Sequence, residues 1–170
     1  RDLLAAGKLG RATSDAFFLD RLTGRYATDP TTASRSSLMN LDSCAWDDGL
    51  CRIFGVPPST LPEILPTTGD FGTVMRGGIR IPLVASVVDQ QAALWGHGCR
   101  RVGDLKITFG TGSFALALTG PAPRRDAEGL VPTVAWKLGA EAPVYAVDGG
   151  DYTAAAAVDW AISVGLARDL

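Results

Sequence analysis

The chain has 170 residues, of which 46% are apolar and 20% are charged, and its formal net charge is −2. This composition is typical of a globular protein long enough to bury a core, and it excludes a disordered or collagen-like chain. Without a basic cluster the chain lacks the electrostatic signature of a nucleic-acid-binding protein, and no apolar run reaches the roughly 18 residues of a membrane span.

The first half of the chain predicts helices separated by turns and loops. The expected elements are a helix from Ser14 to Gly24, a strand over 26–28, a helical segment over 31–39, a helix over 46–54 and a proline-rich loop over 56–66. Residues 79–88 form a nearly continuous apolar run, which predicts a strand buried on both faces of a parallel sheet. A helix is expected over 90–95, with Asp89 at its N-cap.

The second half predicts a sheet followed by a helix. Residues 105–109 and 113–118 are β-like runs joined by Gly110-Thr111-Gly112, which is a hairpin signature. Further strands are expected over 130–137 and 144–147. One apolar helix face is predicted by the spacing of Ala155, Val158, Ile162 and Leu166. The order of elements indicates an α/β protein with a domain junction near residues 96–103.

Cysteine and histidine usage favours no metal site. Cys44, Cys51 and Cys99 lie far from any C-x-x-C spacing, and His97 is the only histidine. Three cysteines so placed indicate a reducing, cytoplasmic compartment in which the thiols pack as small hydrophobes. A nucleophilic pair of Cys99 and His97 is an open alternative, because spacing alone does not exclude it.

Asp89 is the first candidate site residue. It follows the expected buried strand, and ligands of α/β sheets bind outside the carboxyl ends of strands. A purely structural helix cap is the alternative, and position alone slightly favours it. The amides of Gln90 and Gln91 shift the balance towards a polar ligand.

Gly110-Thr111-Gly112 is the second candidate, with an ordinary hairpin turn as its alternative. The flanking glycines let the backbone approach a phosphate closely, and Thr111 adds a hydroxyl and an N–H. No lysine follows at P-loop spacing and no helix begins there, which excludes a P-loop and a dinucleotide fingerprint. A carboxylate such as Asp89 facing a phosphate-binding turn across a cleft is what phosphoryl transfer to a hydroxyl requires.

Together the two candidate segments resemble a known family. Residues 88–96 read Val-Asp-Gln-Gln-Ala-Ala-Leu-Trp-Gly and residues 105–114 read Leu-Lys-Ile-Thr-Phe-Gly-Thr-Gly-Ser-Phe. Both are similar to the central part of the FGGY carbohydrate kinases. Further matches in family order lie at 14–24, 28–35, 61–63, 81–82 and 146–149.

The resemblance implies an α/β, actin-like ATPase fold of the ribonuclease-H-like type. Residues 1–98 would be the later part of the N-terminal, substrate-binding domain. Residues 99–170 would begin the C-terminal, nucleotide-binding domain, with the active site in the cleft between the two.

The resemblance also implies an activity and a set of site residues. The family transfers a phosphoryl group from ATP, with Mg²⁺, to a hydroxyl of a small polyol or sugar, here glycerol or a related polyol. Asp89 matches the catalytic base and contacts the substrate together with Gln90. The positions that match nucleotide contacts are Gly110, Thr111, Gly112, Ala155 and Asp159.

Three positions depart from the family pattern and leave alternatives open. Pro30 stands where glycerol-phosphorylating members have a substrate-contacting tyrosine, so a kinase of a four- or five-carbon sugar or alditol is one alternative. Ala155 replaces a glycine but keeps a backbone N–H, whereas Asp159 replaces a glutamine and would repel phosphates without Mg²⁺ or a displaced geometry. A non-catalytic, nucleotide-binding member of the actin-like superfamily is the other alternative, although retention of Asp89 and Gln90 weighs against it.

Other parts of the family's site fall outside these residues. Residues 1–4 contain neither an initiator methionine nor a signal-peptide core, so we expect the interior of a longer polypeptide. A first phosphate-binding loop and an Arg-Glu substrate pair would precede it, and an adenosine site would follow. We therefore expect the chain alone to be inactive, with a small-molecule substrate, no nucleic-acid or membrane partner, and homo-oligomerisation left open.

Overall fold

A computed structural model describes residues 2–126 and 129–168 of the chain. Its α-helices are α1 (Asp2–Ala5), α2 (Ser14–Thr23), α3 (Pro30–Ala33), α4 (Asp48–Ile53), α5 (Asp89–Gly96) and α6 (Ala154–Ser163). Its first six strands are β1 (Ala27–Thr28), β2 (Met39–Asn40), β3 (Ala45–Trp46), β4 (Glu63–Ile64), β5 (Thr73–Arg76) and β6 (Ile79–Pro82). The remaining strands are β7 (Leu105–Phe109), β8 (Ser113–Gly120), β9 (Val131–Trp136) and β10 (Val144–Asp151). None of the helices in the described ranges has the length and apolar character needed to cross a membrane.

The largest sheet is antiparallel and has the strand order β7-β8-β10-β9. In the β7–β8 hairpin, Phe109 is opposite Ser113 and Leu105 is opposite Ala117, which leaves Gly110-Thr111-Gly112 as the connection. The hairpin predicted from the two β-like runs is therefore confirmed. The strands predicted over 130–137 and 144–147 are confirmed as β9 and β10, although β10 continues to Asp151.

Other elements pack against both faces of the large sheet, although Leu105, Ile107 and Phe109 of β7 stay exposed. One face packs against α5 in a buried cluster formed by Leu94, Cys99, Leu116, Leu118, Ala135, Trp136 and Ala146. The other face packs against α3 and the segment after it, in a cluster formed by Ala33, Met39, Cys44, Val134 and Tyr145. Since neighbouring residues of a strand point to opposite faces, Val134 and Ala135 each supply a different cluster. The sheet thus fixes the position of α5, which carries Asp89.

The prediction of a buried parallel strand over residues 79–88 is wrong. Residues 79–82 pair antiparallel with β5 in a two-stranded hairpin, and all four are exposed. Gly77 and Gly78 form its turn, and both have positive φ. An apolar run does not reveal what covers it, and Pro82 lacks the N–H needed to extend the strand in a sheet interior. Within the described residues the only parallel strand pair is β1 with β4.

The other helices agree with the pattern in kind but differ in length. The α2 helix ends at Gly24 in the left-handed conformation, as predicted. The segment over 31–39 divides into α3, a 3₁₀ turn (Ser34–Ser36) and β2, and α4 begins only after the Asp47 cap. The predicted closing helix is confirmed as α6, but its face containing Val158 is exposed.

Candidate active site

Asp89 is the first residue of α5, and its side chain is exposed. The helix cap is Val88, which keeps an extended backbone, so the prediction of Asp89 as the N-cap is wrong by one residue. The reason is tertiary: the Val88 N–H donates to Thr31 Oγ1 at 3.0 Å, and this contact holds the residue outside the helix. The Asp89 carboxylate consequently projects from the first helical turn, where its Oδ1 accepts the Gln90 N–H at 2.7 Å.

A small cavity surrounds this carboxylate. Its volume is about 200 Å³, and its lining residues are Arg35, Val88, Asp89, Gln90, Gln91, Phe114 and Asp148. Because drug-sized ligands occupy pockets of roughly 300–1,000 Å³, this cavity suits a smaller molecule. Its carboxylates can accept hydrogen bonds from hydroxyl groups, its guanidinium can donate to them, and its amides can do both.

Three other lining residues of the cavity, Arg35, Phe114 and Asp148, were not assigned by sequence reasoning. Arg35 Nη2 and Asp148 Oδ2 form an ion pair at 2.8 Å, in which the Asp148 side chain is only 15% exposed. Phe114 of β8 supplies an aromatic surface and contacts Tyr152 edge-to-face, with ring centroids 5.7 Å apart. These three residues lie in segments that match the family order, whereas Tyr152 does not. Spacing along the chain did not indicate that the three side chains converge.

A buried carboxylate anchors the residue before Asp89. Asp29 is fully buried and accepts hydrogen bonds from Thr31 N and Oγ1, Thr32 N and Oγ1, and Thr67 Oγ1, at 2.8–3.2 Å. Burial raises the pKa of Asp29, and these hydrogen bonds act in the opposite direction. Thr31 therefore connects the Asp29 carboxylate to the backbone of Val88.

Two further contacts attach α5 to the large sheet. Gln91 is 2% exposed, and its Nε2 donates to Thr133 Oγ1 at 3.3 Å and to the Val134 carbonyl at 3.2 Å. In the same turn, Gln90 Oε1 accepts hydrogen bonds from Lys106 Nζ and Thr108 Oγ1 of β7. Gln90 and Gln91 thus hold the first turn of α5 against two different strands.

Gly110-Thr111-Gly112 packs against the start of α6. The Ala155 N–H donates to the Gly110 carbonyl at 3.2 Å and to the Thr111 carbonyl at 3.1 Å. A Cβ at Gly112 would lie 2.7 Å from the Asp151 carbonyl oxygen, so this position admits no side chain. Thr111 is exposed, and a neighbouring cavity of about 400 Å³ is lined by Phe109, Gly110, Ala154, Ala155 and Val158.

The two candidate places are close along β7. Thr108 contacts Gln90 directly, and Thr111 follows three residues later, a length of chain that spans at most about 11 Å. Asp159 is exposed on α6 and lies four residues after Ala155, so the two share a helix face. The structure thus groups Asp89 with Gln90 at the start of α5, and groups the glycine-framed turn with Ala155 at the start of α6.

A metal ion would find few protein ligands here. Within residues 2–126 and 129–168, no group of three or more His, Cys, Asp or Glu side chains could hold one. The three cysteines are buried and free, as predicted for thiols that pack as small hydrophobes. Since Mg²⁺ commonly binds through substrate phosphates and one or two carboxylates, the residues present would not hold it without a nucleotide.

Sequence comparison establishes the family. The description "FGGY family of carbohydrate kinases, N-terminal domain" matches residues 10–96, which are half of the chain. The chain belongs to the FGGY family of carbohydrate kinases.

Within the family, the chain is similar to glycerol kinases. The chain is 44% identical over 159 residues to a glycerol kinase of Bdellovibrio bacteriovorus, in a match covering 91% of the chain and 32% of the relative. It is 42% identical over 170 residues to a glycerol kinase of Thermus brockianus, covering 98% of the chain and 34% of the relative. The chain thus spans about one third of the length of the curated relatives it matches.

A solved structure confirms the predicted fold class. The crystal structure of Plasmodium falciparum glycerol kinase with ADP superimposes with a TM-score of 0.84 at 34% identity, covering 91% of this chain and 32% of that chain. The fold is therefore the α/β, actin-like ATPase fold of the FGGY kinases.

Proposed function

We propose that the protein carrying this chain is an ATP-dependent kinase that phosphorylates a hydroxyl of a small polyol, glycerol in the first place. One observation carries the proposal: Asp89 and Gln90 line a cavity of about 200 Å³, and Gln90 contacts Thr108, three residues before Thr111 in the turn framed by glycines. Relatives at 44% and 42% identity are glycerol kinases, which supports the choice of acceptor.

In the proposed mechanism Asp89 acts as general base. Its carboxylate accepts the proton of the acceptor hydroxyl while that oxygen bonds to the γ-phosphorus of ATP, and the bond from phosphorus to the ADP oxygen breaks. Since the transition state of phosphoryl transfer is loose, positioning and charge stabilisation contribute more than strong proton abstraction. General-base assistance from Asp89 would still accelerate the reaction roughly 10²–10⁴-fold. Gln90 would hold the acceptor through its amide.

The nucleotide would lie on the other side of the cleft. Gly110 and Gly112 would let its phosphates approach the backbone, and Thr111 would contribute a hydroxyl. Ala155 and Asp159 would face the nucleotide from α6, where the Ala155 N–H supports the turn through two carbonyls. When bound, ATP supplies the phosphoryl group and Mg²⁺ neutralises its charge.

The domain division is part of the same proposal. Residues 1–98 would belong to the substrate-binding domain and residues 99–170 to the nucleotide-binding domain. The match to the family's N-terminal domain ends at residue 96, which supports a boundary at this point. The cavity then receives Asp89 from the first domain and Phe114 and Asp148 from the second.

Pro30 favours a second candidate acceptor. It is fully buried at the first position of α3, where the side chain of Asp29 caps the helix. Proline has neither a hydroxyl nor an aromatic face, so it supplies none of the contacts of a tyrosine at this place. A four- or five-carbon sugar or alditol is therefore the alternative substrate class.

Steady-state assays of the full-length protein test the proposal. ADP formation is measured with ATP, Mg²⁺ and one acceptor at a time: glycerol, erythritol, ribitol, xylitol and D-xylulose. The highest kcat/KM is expected with glycerol, and a higher value with a five-carbon acceptor would select the alternative. Binding of ATP without transfer to any acceptor would instead identify a non-catalytic nucleotide-binding protein.

A further inference from the structure

A buried cation lies beside the proposed acceptor site. Lys106 of β7 is only 4% exposed, although Leu105 and Ile107 on either side of it are 52% and 47% exposed. Its ammonium group donates hydrogen bonds to Gln90 Oε1 and Thr108 Oγ1, which are neutral acceptors. Every ion pair among the described residues is formed by an arginine, so no carboxylate there lies within ion-pair distance of the Lys106 ammonium group.

This arrangement determines which way the Gln90 amide points. A lysine ammonium can only donate, so the atom of Gln90 that faces it must be the carbonyl oxygen. Thr108 Oγ1 donates to the same oxygen at 3.1 Å, which uses a second acceptor position on it. The Gln90 NH₂ group is therefore directed to the other side, where Nε2 lies 3.5 Å from Asp89 Oδ2.

We propose that Lys106 is a positioning residue for acceptor recognition: it orients the Gln90 amide so that its NH₂ group donates a hydrogen bond to one hydroxyl of the acceptor. The inference rests on the proposed kinase function and identifies how the site selects among small polyols. Asp89 accepts the reacting hydroxyl's proton, whereas the oriented Gln90 recognises a neighbouring, non-reacting hydroxyl. A site that offers a fixed donor discriminates strongly against an acceptor lacking the matching oxygen.

The energetics of the contact agree with a role beyond packing. Burying an ammonium group against neutral acceptors costs free energy, and an apolar side chain of similar length would fill the same space at lower cost. Burial lowers the pKa of the Lys106 ammonium, and the negative charges of Asp89 and Asp148 act in the opposite direction. The two carboxylates that oppose this effect, Asp89 and Asp148, both line the proposed acceptor cavity.

The test compares acceptors that differ by one hydroxyl. In the full-length protein, kcat/KM is measured for glycerol, 1,2-propanediol and 1,3-propanediol in the wild type and in Lys106→Met. The ratio of kcat/KM between glycerol and the less reactive diol measures recognition of the missing hydroxyl, and it does not depend on the fraction of active protein. Loss of an oriented hydrogen bond is expected to reduce this ratio about tenfold in Lys106→Met.

Three further variants complete the experiment. Lys137→Met is the control, because Lys137 is half-buried and contacts Thr67 through its backbone N–H rather than its side chain; its ratio should equal that of the wild type. Lys106→Arg keeps a cationic donor and should recover most of the discrimination. Thr108→Val removes the second donor to Gln90 Oε1 and should reduce the ratio by a smaller factor.

The outcomes separate this inference from the proposed function. If Lys106→Met lowers kcat/KM equally for all acceptors, Lys106 is only structural, and the inference is overturned while the kinase function stands. If Lys106→Met does not fold, an unchanged ratio in Thr108→Val overturns it. If the wild type transfers phosphate to no acceptor, the proposed function fails. The same ratio is then taken from dissociation constants for the polyols, and absent or non-selective polyol binding overturns the inference as well.

Discussion

The proposed acceptor side and the proposed nucleotide side of the site differ in how many buried contacts hold them. On the acceptor side, Asp29, Gln91 and Lys106 are at most 4% exposed and make hydrogen bonds that fix the start of α5. On the nucleotide side, Thr111 is exposed, and α6 has no buried side chain within the described residues. The proposed acceptor side is thus preorganised by buried hydrogen bonds within this chain, whereas α6 on the proposed nucleotide side contributes no buried side chain.

This difference predicts that variants on the two sides should affect different kinetic parameters. A change on the acceptor side disturbs a positioned constellation, in which small displacements reduce the rate of the chemical step. A change on the nucleotide side removes a single contact to a phosphate and should weaken ATP binding. Measurements of kcat and of the two KM values therefore test the comparison directly.

The largest effect is expected from Asp89→Asn in the full-length protein. Asparagine keeps the shape of the side chain but does not accept the proton, so kcat should fall about 10²–10⁴-fold. The KM for ATP should change little, because Asp89 lies on the acceptor side. Asp20→Asn, at an exposed position of α2, is the matched control and should retain full activity. Wild-type turnover in Asp89→Asn would remove Asp89 from the mechanism.

Thr31→Val tests whether the buried network positions Asp89. The substitution preserves shape but leaves the Val88 N–H without its acceptor and removes one donor to Asp29. A loss of stability of about 1–3 kcal/mol is expected from the unsatisfied groups, together with a fall in kcat of about tenfold.

Thr32→Val provides the control for that substitution. Thr32 Oγ1 also donates to Asp29, at 3.0 Å, but Thr32 has no recorded contact with Val88. Thermal unfolding and kcat measured side by side should show both variants destabilised and only Thr31→Val slowed. Equal losses of kcat in the two would mean that the network supports the fold without positioning Asp89.

Thr111→Val addresses the nucleotide side. Loss of a hydrogen bond to a charged phosphate should raise the KM for ATP about tenfold, while the KM for the acceptor stays near its wild-type value. Thr119→Val in the same strand pair, whose hydroxyl bonds the Ala122 carbonyl, should change neither KM. A rise confined to the acceptor KM would reverse the assignment of the two sides.

Sequence reasoning identified the candidate residues of the two sides, but not the contacts that hold Asp89 in place. The position of Asp89 after an apolar run and the glycines around Thr111 are local features, and the family resemblance joined them. The contacts that hold Asp89 in place are not local: Thr31 is 57 residues from Val88, and Lys106 is 16 residues from Gln90. No periodicity encodes such pairs, because they form only when α5 packs on the large sheet.

The predictions of the fold divide in the same way, into local features that were predictable and burial that was not. The hairpin at Gly110-Thr111-Gly112 and the end of α2 at Gly24 were predictable, since turn chemistry is determined by a few neighbouring residues. The strand expected over 79–88 was not, because burial of an apolar run depends on partners that the run itself does not contain. Ile79 and Ile81 are exposed in a two-stranded hairpin instead.

The smallest effect is expected from Asp47→Asn, which lies outside both sides of the cleft and provides the baseline for them. Hydrogen bonds from the Leu50 N–H, the Asn40 side chain and the Gly49 N–H lower the pKa of Asp47. A carboxylate with a lowered pKa in the folded state stabilises the fold above its ordinary pKa, and this contribution is lost as the pH falls through the folded value.

Asp47→Asn should therefore lower Tm slightly at pH 7 and match the wild type in acid, with both KM values unchanged at neutral pH. Asp48→Asn, one residue further along the chain in α4, is the control and should also leave both KM values unchanged. A change of either KM in Asp47→Asn would mean that loss of stability alone alters substrate binding, and the division between the two sides of the cleft would then need a different explanation.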